Sequence, residues 1–125
     1  MVSLIDTNVI IRFLAADVEV LHHKSTEIFK QIYRNELQVE ILGEVLMEVL
    51  FVMDKGYKDP KASTVKSLQE ILAFRGVVNR DKHVLIEALA MYAEKNIDFV
   101  DALICTKARY GKISFDKDIM RKCEQ

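Results

Sequence analysis

The sequence predicts an α/β fold, with a short central parallel sheet of about four strands flanked by helices. Three observations carry this reading. Short apolar runs alternate along the chain with segments whose apolar residues recur every three to four positions. The junctions between them are single turn or cap residues rather than linkers. The only proline, Pro60, begins a helical pattern instead of interrupting one. Strands alternating with helices in this way argue for parallel pairing through helical crossovers.

The first strand is the run from Val2 to Ile5, which reads as buried and ends abruptly in Asp6; an amphipathic helix follows from Val9 to Ala16. A second helix spans Val20 to Arg34, with Leu21, Ser25, Ile28, Phe29 and Ile32 on one stripe and Asn35-Glu36 closing it. Leu37 to Leu42 alternates like a strand. Gly43 punctuates, and Glu44 to Asp54 forms an almost wholly apolar helix that Gly56 is placed to end with a left-handed cap. Asp59-Pro60 pairs an N-cap acid with proline at the first helical position and starts a helix to about Arg75. Its stripe is Val65, Leu68, Ile71, Leu72 and Phe74, and Gly76 stops it. Val77-Val78 is a minimal strand. Asp81 caps a helix from Lys82 to Lys95, and Asp98 caps another from Phe99 to about Tyr110. Lys112 to Phe115 is a last short strand, followed by Asp116 and a partly helical tail.

At 125 residues, with no repeat and no domain-scale linker, the chain reads as one domain over 1–125. Half of its residues are hydrophobic and 30% are charged, a globular balance. A net charge of −1 excludes a protein that binds polyanions through bulk charge. Any handling of nucleic acid must therefore rest on a local basic patch or on metal ions. Cys105 and Cys123 show no paired spacing, so two reduced thiols and a cytoplasmic location are expected. The start of the chain lacks the basic region of a secretory leader, and no run reaches the length of a membrane span.

Four acids stand apart from the solvated helix faces. Asp6 ends the first strand, at the edge where open α/β sheets bind ligands. Glu48 is the only charge in the run Val45 to Met53, with Val45, Phe51, Val52 and Glu44 as its helical neighbours. No cation is spaced to pair with it, and a carboxylate buried among apolar groups is costly unless paired or metal-bound. Asp101 lies among Phe99, Val100, Ala102 and Leu103, and Asp116 follows the last strand. Topology should bring all four to one edge. At about 4 Å and an effective dielectric of roughly 20, each pair of carboxylates repels by about 4 kcal/mol. Either some of them become neutral or a cation holds them. With no His or Cys in the set, the oxygen donors favour magnesium or manganese over zinc. Asp98 reads mainly as a helix cap.

These residues resemble the PIN domain, and in particular the VapC-like toxins of prokaryotic toxin–antitoxin pairs. The matching pieces are Leu4-Ile5-Asp6-Thr7-Asn8, Val45 to Leu50 around Glu48, Asp98-Phe99-Val100-Asp101-Ala102-Leu103-Ile104, and Ser114-Phe115-Asp116-Lys117-Asp118. Together they span nearly the whole chain. The resemblance implies a magnesium- or manganese-dependent endoribonuclease, with Asp6, Glu48 and Asp101 as the core acidic site and Asp116 as its outer member. Asn8 and Ser114 match supporting polar positions, and Asp98 and Asp118 match weaker ones. Ser114 replaces the family's usual threonine and keeps the hydroxyl. A cognate antitoxin and a homodimer are the implied partners. The chain stops at Gln125, where many relatives continue into a further edge strand, so either a sheet one strand short or an edge completed by a partner is expected.

Two other classes were weighed. A receiver-like phosphoacceptor domain needs paired acids after the first strand and leaves Glu48 without a role. A PIN-like scaffold that binds RNA without cleaving it is disfavoured by the presence of all four acids, and a housekeeping PIN nuclease differs from the toxin in biological context. Other residues are set aside. His22, His23 and His83 lack metal-ligand spacing, and Tyr33, Tyr57, Tyr92 and Tyr110 sit near helix ends where core-edge packing explains them. Arg12 either pairs with a site acid or reaches solvent. From Lys107 onward, six basic residues face three acidic ones, a modest excess for positioning RNA.

Overall fold

The computed structural model describes residues 1–107, 113–115, 121, 123 and 124. Among these the order is β1 (Val2–Leu4), α1 (Thr7–Ala15), α2 (Glu19–Tyr33), β2 (Gln38–Glu40), α3 (Gly43–Lys55), α4 (Lys61–Leu72), α5 (Lys82–Glu94) and α6 (Phe99–Thr106). They divide into two units, Met1–Lys82 and His83–Gln125.

In the first unit β1 and β2 pair in parallel, with Val2 opposite Gln38 and Leu4 opposite Glu40. On its other side β2 carries a single parallel bridge, Val39 to Val77. Among the described residues the sheet therefore has two strands and a bridge, not about four strands. The bridge cannot lengthen because Asn79 leaves the ladder. Its side-chain amide accepts from the Ile41 N–H at 2.8 Å and donates to the Ile41 carbonyl at 2.7 Å. The side chain thus supplies what the next strand residue would have given. Residues 113–115, expected in a last strand, are described and have no strand conformation; Lys112 lies outside the described residues.

The helices bury the stripes that the periodicity predicts. Phe29 and Ile32 of α2, Leu46 and Val49 of α3, and Leu68, Ile71 and Leu72 of α4 enclose Val39, Ile41 and Val77. Leu21, expected on the α2 stripe, is exposed. So are Val2 and Leu4 of β1, while Ile5 is buried, which corrects the reading of β1 as a buried strand. Among the described residues β1 pairs with a strand on one side.

Chain reversals depend on a few residues. Asn35, at φ 61°, closes α2, and Ala16 and Lys58 are the other non-glycine residues with positive φ among those described. Gly56 is right-handed at φ −83°, so the left-handed turn after α3 falls on Lys58. Pro60 is the N-cap of α4 rather than its first residue, and Asp59 instead accepts from the Thr64 hydroxyl at 2.5 Å. Gly76 is wedged beneath the end of α2. Its N–H donates to the Ile32 carbonyl at 2.8 Å, and its carbonyl accepts from Val39 at 2.8 Å. A Cβ there would run into the carbonyl oxygens of Leu37 and Ile32.

In the second unit Leu85, Ala88 and Leu89 of α5 are buried, as are Ile97, Phe99 and Ala102. Tyr92 meets Phe99 edge to face, with ring centroids 6.2 Å apart. Cys105 and Cys123 form a disulfide, with Cα atoms 5.3 Å apart, so the expectation of two reduced thiols is corrected. Lys95 Nζ donates to the Cys123 carbonyl at 3.3 Å. A separation of 18 residues in sequence gives no sign of this pairing. Among the described residues no helix is long and apolar enough to cross a membrane.

Candidate metal centre

Asp6 stands one residue past the buried Ile5 and is the N-cap of α1, in extended conformation at φ −84°. Its carboxylate accepts the Asn8 N–H at 3.4 Å, a cap that satisfies one of the helix's unpaired first-turn donors. Asn8 thus supports Asp6 through its backbone, while its side chain is exposed.

The next residue joins the centre to a distant helix. Thr7 is buried at 5% exposure, and its hydroxyl donates to Glu48 Oε2 at 3.0 Å, across 41 residues of sequence. This bond exists because α1 packs directly on α3. It places the Glu48 carboxylate at the edge where Asp6 leaves the sheet.

Glu48 itself differs from its sequence reading. It is exposed, in company with Glu44, Met47 and Phe51, while Leu46, Val49, Leu50 and Met53 turn into the core. The apolar run that surrounds it in sequence is divided between two helix faces. Burial therefore does not argue for a metal at Glu48. The hydrogen bond from Thr7 and the shared edge with Asp6 do. Thr7 was missed by the sequence reading, although a hydroxyl directly after a capping acid was its visible signal. Asn79 was missed too; by holding Ile41 it sets the turn from which α3 departs.

Asp101 lies in the first turn of α6, half-exposed, and its N–H donates to Asp98 Oδ1 at 2.8 Å. Asp98 is thus the cap it was expected to be. Both acids belong to the second unit. Ser114 is exposed, and Asp116 and Asp118 lie outside the described residues. Among the described residues no three His, Cys, Asp or Glu side chains are grouped to hold an ion. In the first unit Asp6 caps α1, and the hydroxyl of the next residue, Thr7, bonds the Glu48 carboxylate. The donors are all oxygen, a set that suits a hard cation.

Arg12 pairs with neither a site acid nor water alone. It reaches Asp17 at 3.2 Å, and the Tyr57 hydroxyl donates to the same carboxylate at 2.7 Å. The Tyr57 hydroxyl, more than the Arg12 charge, holds Asp17 below the usual carboxylate range. The same bond lifts Tyr57 above the ordinary phenol value. His22 is accounted for structurally: Nδ1 meets the Arg12 carbonyl at 3.1 Å, and its ring stacks on Phe13.

The family model described as PIN domain matches residues 3–125. The chain belongs to the PIN domain family. Such domains are generally nucleases and typically use divalent metals, in agreement with the oxygen-only pair at the end of β1. No curated protein and no solved structure matches the chain.

Proposed function

We propose that this PIN domain is a magnesium- or manganese-dependent endoribonuclease that hydrolyses RNA phosphodiester bonds. Asp6, Glu48, Asp101 and Asp116 would hold the metal, with Asn8, Ser114, Asp98 and Asp118 supporting them. The reading includes one domain over 1–125, since the family match runs through both units. The observation that carries it is the Thr7–Glu48 hydrogen bond, which ties the α3 carboxylate to the residue that follows the strand-end acid.

The bound ion would lower the pKa of a water and offset charge on the phosphate. The protein's own part is positional. Asp6 is held by the Asn8 N–H, and the Thr7 hydroxyl fixes one Glu48 oxygen. The order of the motif pieces further supports a toxin of the VapC-like kind, cytoplasmic, homodimeric and controlled by a cognate antitoxin. The Cys105–Cys123 disulfide weighs against the cytoplasmic part, because such bonds are uncommon there.

The test is cleavage of mixed RNA with magnesium or manganese, and again after EDTA. Metal-dependent cleavage that falls at least about 100-fold in Asp6→Asn and Glu48→Gln is expected, the size of effect seen when one charge-stabilising group is lost. Cleavage that survives EDTA, or an Asp6→Asn variant equal to wild type, would remove the proposal.

A further inference from the structure

The opposite edge of the first unit carries a groove that the acidic centre does not use. Asp6 and Glu48 lie beyond the ends of the strands. The groove lies where α2 and α4 finish, just before β2 and the Val77 bridge begin, and in a parallel arrangement those are opposite edges. It encloses about 290 Å³, with Phe13 and Phe29 as its floor and Tyr33 and Phe74 as its wall. Lys30 and Arg34 stand on its rim. A second depression, bordered by Arg75 and Glu70, shares Tyr33, Arg34 and Phe74 and continues it.

Tyr33 is the unusual member. It was expected to pack at the core edge, yet it is 62% exposed. Phe74 meets it edge to face at 5.2 Å, which fixes the ring while leaving most of it open. Lys30 is paired with Glu27 at 3.3 Å, but Arg34 and Arg75 form no ion pair among the described residues. A cation just past a helix C-terminus also complements the helix dipole, which explains the two arginines in part. It does not explain an exposed aromatic wall over an apolar floor beside them.

A ligand that matches both features is flat, apolar on its faces, and attached to an anion. We infer that this groove binds a nucleotide of single-stranded RNA, the base against Tyr33 and the neighbouring phosphates at Arg34 and Arg75. This rests on RNA being the substrate class of the acidic centre. Bases stack on aromatic side chains without regard to sequence, and cations track the backbone. From the Asp6 cap to Phe13 the α1 axis rises about 10 Å, so one strand of several nucleotides reaches both places. The groove would then hold the RNA while the acids meet a phosphodiester further along.

The test measures binding of the full chain to a fluorescent single-stranded 12-nucleotide RNA in EDTA, where the metal centre plays no part. Tyr33→Ala should weaken binding about 5- to 100-fold, with Tyr33→Phe close to wild type. Arg34→Gln and Arg75→Gln should each make the dependence of log affinity on log salt shallower by about 0.7. These arginines are exposed, so their variants report even if Tyr33→Ala folds poorly. A chain that shows these losses yet cleaves no RNA supports the groove and fails only the nuclease reading. Unchanged affinity and salt slope overturn the inference, as does a wild-type chain that binds no RNA at low salt. Variants that keep RNA affinity but lose a co-expressed partner protein overturn it too, and make the groove a protein-docking surface.

Discussion

Two hydroxyls mark the residues that matter most in the first unit. Thr7 spends its hydrogen bond on Glu48 from a buried position, so replacing it with valine keeps the shape and removes the bond. Groups that orient a metal-holding carboxylate commonly contribute 10- to 100-fold to metal affinity or activity. Thr7→Val should therefore lower apparent manganese affinity by about that range, measured as the metal concentration for half-maximal cleavage. The Tyr57 hydroxyl acts on Asp17 instead. Tyr57→Phe should raise the Asp17 carboxyl toward its ordinary value of 3.8, read by NMR titration. The sign for stability follows. A carboxyl depressed in the fold contributes stability above its unfolded value, and that contribution disappears as pH falls through the folded one. The raised Tyr57 contributes in full below its ordinary value of 10.0, and that contribution is lost as pH rises through the higher folded value. Both groups are exposed, so the effect on stability is small.

At the scale of elements, the decisive contacts are backbone ones. Gly76 fits because nothing extends from its Cα toward the Ile32 and Leu37 carbonyls. Backbone cannot yield as a side chain does, so Gly76→Ala should cost about 2–3 kcal/mol and lower the melting temperature by roughly 10 °C. Calorimetry against a surface Ala variant checks this. The helices were legible in the sequence to within a few residues, since each depends on its own periodicity and on caps such as Asp98. The strands were less so. Val77-Val78 holds only one bridge because the Asn79 side chain takes over Ile41, and no local pattern announces a substitution between residues 38 apart. The strand-end position of Asp6 was legible, and the structure has it there as the N-cap of α1. Glu48 was singled out for an apolar setting that the helix divides between two faces, and Thr7 went unnoticed because its partner lies 41 residues away.

At the scale of the whole molecule, the second unit is fastened by a bond that the spacing of the cysteines did not suggest. Closing a loop of 18 residues limits the unfolded chain and is worth about 3 kcal/mol in the entropic account. Thiol titration of the native protein should find no free thiol at Cys105 or Cys123, and reduction should lower the melting temperature; two reactive thiols without reductant would contradict the pairing. The Thr7–Glu48 bond carries a different consequence for the molecule as a whole. Each acid is present as soon as its helix forms, but their meeting waits until 41 intervening residues are gathered, a closure that costs about 3 kcal/mol in chain entropy. A growing or partly unfolded chain therefore carries the carboxylates without the centre. The contact between Thr7 and Glu48 arrives with the completed first unit, and is lost as soon as α1 and α3 separate.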